Sequence, residues 1–111
     1  MVEQILIPPL VLRDSSGEIN IFRNVTDLLS WVEEVDVEGG EYTGWDSEGR
    51  AFSLSVNNES KIQLEPGMTV EPEYLQEVLA AYVTRIRRYQ KRPLEGIASA
   101  SLAELIEELA D

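Results

Sequence analysis

Residues 50–64, RAFSLSVNNESKIQL, alternate apolar and polar side chains on both sides of an asparagine-rich joint. Phe52, Leu54 and Val56 alternate with Ser53 and Ser55, and Ile62 and Leu64 flank Gln63. Each half therefore has one apolar and one polar face, the pattern of antiparallel strands with one side open to water. Asn57-Asn58-Glu59-Ser60 between them has hairpin-loop chemistry. A further strand, Glu41 to Trp45, joins this pair through Asp46-Ser47-Glu48-Gly49, and Glu65-Pro66-Gly67-Met68 is expected to turn the chain out of the sheet.

Working outward, Leu10-Val11-Leu12, the turn residues Asp14-Ser15-Ser16-Gly17 and the alternating Ile19 and Ile21 predict an opening hairpin. Pro8 and Pro9 cannot donate ladder hydrogen bonds, so residues 1–9 are expected to be a loosely ordered lead or an edge strand. From Asn24 the spacing becomes helical, with Val25, Leu28, Leu29, Val32 and Val35 on one side, Asn24 as cap and Asp27 in the first turn. A longer helix starts at Pro72 and runs to about Gln90 through Leu75, Val78, Leu79, Tyr82, Val83, Ile86 and Tyr89, stopped by Pro93. Ser101 with Glu104 predicts a capping box, opening an amphipathic helix over 101–110 with Leu102, Leu105, Ile106 and Leu109 on one stripe. The expected fold is α+β in the order ββαβββαα: a small antiparallel meander sheet with helices packed on one face, forming a single domain over 10–111.

Composition narrows the chemistry. The 111 residues contain no cysteine and no histidine, which removes disulfides, thiolate metal sites, the commonest general base and the strongest nucleophile. No nucleophile elbow, phosphate loop or dinucleotide fingerprint is present, and Asp46-x-Glu48-Gly49 lacks the regular oxygen spacing of a calcium loop. The expectation is no catalytic residue, no metal and no cofactor. The N-terminal segment has no basic region ahead of Ile5-Leu6-Ile7 and no apolar run approaches ~18 residues, so a cytoplasmic protein without a membrane partner is expected.

Charge points towards partners. Twenty-one acids against nine bases give a net charge of -12, a field that repels nucleic acid and attracts basic proteins. The bases are concentrated in Arg85, Arg87, Arg88, Lys91 and Arg92, placed to complement the negative end of the long helix and the acids of the tail. Segment 27–48 carries eight acids and no base, with Trp31, Tyr42 and Trp45 inside it. Aromatics framed by carboxylates are what a hot spot for a basic, partly apolar partner requires, and the candidate binding residues are Trp31, Glu33, Glu34, Asp36, Glu38, Glu41 and Trp45. Tyr42 and Trp45 have opposite strand parity, so a regular strand would turn only one of them to the core.

The stretches Asp36-Val37-Glu38-Gly39-Gly40-Glu41-Tyr42 and Asp46-Ser47-Glu48-Gly49-Arg50 resemble those of small acidic bacterial proteins of the polymorphic-toxin immunity type. The resemblance carries no functional residue across. It implies a non-catalytic inhibitor that blocks a basic partner such as a toxin nuclease. The alternative is a module that self-associates into a homo-oligomer through a strand edge or the tail, and a carboxylate-based enzyme ranks third.

Overall fold

The opening hairpin sets the sheet. Residues 6–110 are described by a computed structural model, in which β1 (Leu10–Arg13) pairs antiparallel with β2 (Ile19–Phe22). The carboxylate of Asp14 holds the turn between them, accepting from the backbone N–H groups of Ser16 and Glu18 and from the Ser16 hydroxyl. These bonds to the charged form hold the Asp14 carboxyl below the usual aspartate value, with the Ser16 hydroxyl the largest cause.

After β2 the chain forms α1 (Val25–Trp31) and α2 (Glu34–Glu38), then β3 (Thr43–Trp45), β4 (Arg50–Val56), β5 (Ile62–Val70), α3 (Pro72–Tyr89) and α4 (Leu102–Leu109). The fold is α+β, with five antiparallel strands in the spatial order β2-β1-β3-β4-β5. Strands β3 to β5 follow one another as a meander does, but β3 docks on β1 instead of on β2. The α1–α2 segment carries the chain back across the sheet, and β1 becomes an interior strand.

That placement explains why helices cover both faces where coverage of one was expected. The expectation came from β4 and β5, whose second face carries Ser53, Ser55, Gln63 and Glu65. β1 is different: three successive apolar residues leave it no polar side, as in strands buried on both faces. Leu10 and Leu12 pack with Phe52, Leu28 of α1, Val32 and Val37 of α2. Val11 points the other way, with Ile19, Trp45, Leu75, Leu79 and Val83 of α3, Ile97, and Leu105 and Ile106 of α4.

The single helix expected from Asn24 is two. Asn24 caps α1 by accepting from the Asp27 N–H at 2.8 Å, but Val32 turns extended (φ -77°, ψ 149°) and α2 restarts after Glu33. The break resets the helical phase, so that Val37 enters the core while Val35 is left 69 % exposed.

Strand β5 runs beyond the expected exit at Pro66. Phe52 pairs with Pro66 and Arg50 with Val70, so Gly67, Met68 and Thr69 bulge out of register opposite Ala51. Pro66 is tolerated because β5 is a sheet edge, and the bulge blunts that edge against pairing. Glycine is required at Gly44, over which the Phe52 ring lies: a Cβ there would come 2.2 Å from the ring. Gly49 (φ +88°) lets the β3–β4 turn touch the start of α3, where the Glu71 N–H donates to the Gly49 carbonyl at 2.8 Å.

The N-terminal lead is fastened where it is described. The Ile7 N–H donates to Asp46 Oδ2 at 3.0 Å and the Ser47 N–H donates to the Ile7 carbonyl at 2.9 Å. Residues 1–5 lie outside the described residues. At the other end, Ser101 and Glu104 form the expected capping box, and bonds from Ser101 hold the Glu104 carboxyl below its usual value. Helix α4 buries Leu105 and Ile106 on its own domain and is tied to α3 by Arg87, whose Nε donates to Glu108 Oε2 at 3.0 Å while Nη2 reaches Oε1. No helix among the described residues is long and apolar enough to cross a membrane.

Candidate protein-binding surface

Three rings meet on the α1–α2 side of the sheet. Phe22 closes β2, Trp31 ends α1 and Tyr42 immediately precedes β3. The Trp31 ring lies 5.5 Å from Phe22 at 54° and 6.2 Å from Tyr42 at 61°, both favourable tilted arrangements. Trp31 nevertheless keeps 48 % of its surface exposed, because α1 stops on it and α2 departs without covering it. Exposed Val25 and Val35 lie on the same two helices.

The acids follow from the broken helix. Glu33 occupies the cap position of α2, and Glu34 and Asp36 lie in its first turn, where carboxylates are favoured by the helix dipole. Glu38 ends α2, and Glu41 is brought back by a bond from its N–H to the Asp36 carbonyl at 3.2 Å. Glu33, Glu34, Glu38 and Glu41 are exposed and Asp36 is half-buried. Among the described residues none of these acids has an ion-pair partner; the ion pairs found are Lys61–Glu59 and Arg87–Glu108. The Tyr42 hydroxyl donates to Asp36 Oδ2 at 3.4 Å. Burial, followed by the Asp36 charge, raises the Tyr42 phenol above its usual value and keeps it a donor.

Five of the seven residues expected at the surface, Trp31, Glu33, Glu34, Asp36 and Glu38, lie together on the α1–α2 segment, whereas Glu41 lines a hollow with Arg13, Asp14 and Thr43 at the β1–β2 turn. Trp45 lies apart from both. It is 1 % exposed, lies on the opposite face of the sheet against α3, and donates its indole N–H to Glu71 Oε1 at 2.8 Å. Tyr42 and Trp45 take opposite faces of the sheet as their parity requires, but since helices cover both faces each meets a core: Trp45 is buried against α3, and Tyr42 packs half-buried on the α1–α2 side. Phe22 and Val35 were not anticipated. Phe22 pairs with Leu10 at the far end of β2, a neighbour that only the strand register reveals.

The stretches that carry the sequence resemblance have evident local roles. Asp36–Tyr42 forms the end of α2 and its return, and Asp46–Arg50 is a turn in which Asp46 Oδ1 accepts from the Glu48 and Arg50 N–H groups at 2.9 Å. Among the described residues no three His, Cys, Asp or Glu side chains are grouped to hold a metal ion. No protein-family model matches the chain, and neither a curated protein nor a solved structure matches it.

Proposed function

We propose that this chain is a non-catalytic protein-binding domain that docks a basic, partly apolar partner through the Trp31 corner, most concretely as an immunity-type inhibitor covering the basic substrate surface of a toxin nuclease. The exposed Trp31 carries this reading. A large ring braced by Phe22 and Tyr42 loses little side-chain freedom on binding, and a central aromatic rimmed by charge is the usual anatomy of a binding hot spot. The surrounding acids would speed association with a basic protein and disfavour nucleic acid. The inhibitor role rests on the resemblance of residues 36–42 and 46–50 together with the charge of -12. Self-association through the tail has less support, since α4 turns Leu105 and Ile106 into its own domain.

The test is affinity capture from extract of the native cell at low and moderate salt, with Trp31→Ala alongside. The expected result is one basic protein, released as salt rises and bound at least about tenfold more weakly by Trp31→Ala. Equal retention by both chains would remove Trp31 as the anchor, and recovery of the bait alone would remove the protein-binding reading.

A further inference from the structure

On the opposite face of the sheet, two arginines 72 positions apart in sequence line one open groove of about 330 Å³ with Gly17, Val78, Ala81 and Tyr82. Arg13, the last residue of β1, holds its guanidinium 5.2 Å from the centre of the Trp45 ring, and Arg85 of α3 holds its own 5.3 Å from the centre of the Tyr82 ring. A guanidinium stacked on an aromatic face is fixed in orientation and keeps its in-plane N–H donors available. Among the described residues neither group has a carboxylate within ion-pair distance, although the chain carries 21 acids. Both are positive charges lining one groove, a charge that a bound anion would offset.

We infer that this groove is a binding site for a small monocarboxylate with an apolar or aromatic body. The carboxylate takes the two guanidinium groups, whose fork geometry matches it, and the body lies on Val78, Ala81 and the Tyr82 ring. The volume is at the small end of ligand sites, about 300–1,000 Å³, and fits a compound with a single ring. A doubly charged phosphate fits less well: the adjoining hollow beside Arg13 contains Asp14 and Glu41, and the whole chain repels a dianion twice as strongly as a monoanion.

The test is a titration of the isotope-labelled full chain with sodium benzoate at constant ionic strength, followed by amide and indole resonances, with inorganic phosphate in parallel. Saturable shifts are expected at Gly17, Val78, Ala81, Tyr82 and the Trp45 indole, with the Trp31 indole unmoved on the other face. Arg85→Gln, at an exposed helical position, and Arg13→Gln should each weaken binding at least about tenfold, while Arg88→Gln, outside the groove, should not. Benzoate shifts that do not saturate, or that persist unchanged in Arg85→Gln, would overturn the site. Tighter binding of phosphate than of benzoate would overturn the carboxylate assignment.

Discussion

Asp46 shows how much a single buried side chain can organise. At 2 % exposure it uses both oxygens: Oδ1 holds the β3–β4 turn through Glu48 and Arg50, and Oδ2 holds the N-terminal lead through Ile7. Asp46→Asn separates these functions. An amide oxygen in the Oδ1 position still serves the turn, but the amide nitrogen meets the Ile7 N–H donor to donor. The expected cost is about 1–3 kcal/mol, the usual cost of an unsatisfied buried group, with loss of hydrogen-exchange protection at Ile7 and Ser47 and retention at Arg50. Loss of protection at all three would mean that the lead and the turn are one unit. The sequence signals the turn, since Asp-Ser-Glu-Gly is turn chemistry, but nothing in it shows that the second oxygen reaches a residue 39 positions earlier.

The elements that could be read in advance are those whose signals are local. Asn24 with Asp27, Pro72 and the Ser101–Glu104 box each fix a helix start through groups three residues apart or fewer, and all three stand where they were expected. The break at Val32 and the docking of β3 on β1 depend on which face of β1 each helix covers, a tertiary choice that periodicity does not encode. The candidate surface divides the same way: Trp31 and its nearest acids lie within one stretch of chain, while Phe22 meets Trp31 only through the packing of α1 back on β2. For α4 the decisive contact is also distant, between Arg87 and Glu108. The hydrogen bond from Arg87 is the main cause that holds the Glu108 carboxyl below the usual glutamate value, so its contribution to folding is complete above the unfolded-state pKa and is lost as pH falls through the lower folded-state value. Glu108→Gln should therefore melt below the wild type at neutral pH, with the gap closing as pH falls below about 4. A gap that stays constant with pH would assign the loss to packing of the tail instead of to the charge pair.

Charge links the fold to the proposed function across the whole molecule. Eight acids lie between residues 27 and 48 without a base, and among the described residues those of the Trp31 corner have no ion-pair partner to offset their mutual repulsion. Repulsion of this kind destabilises the folded state and is screened over a distance of about 10 Å at 0.1 M salt. The melting temperature of the wild type at neutral pH should accordingly rise by several degrees when sodium chloride is raised from very low concentration to near-physiological strength. The combined change Glu33→Gln, Glu34→Gln, Glu38→Gln and Glu41→Gln should raise the low-salt melting temperature and flatten its salt dependence, while abolishing salt-sensitive capture of a basic partner. Such a result would mean that the acids are kept for binding at a cost in stability, as functional surfaces commonly are. If the fourfold variant instead melts lower than the wild type at every salt concentration, the carboxylates hold this part of the fold together, and their presence is structural and not kept for binding.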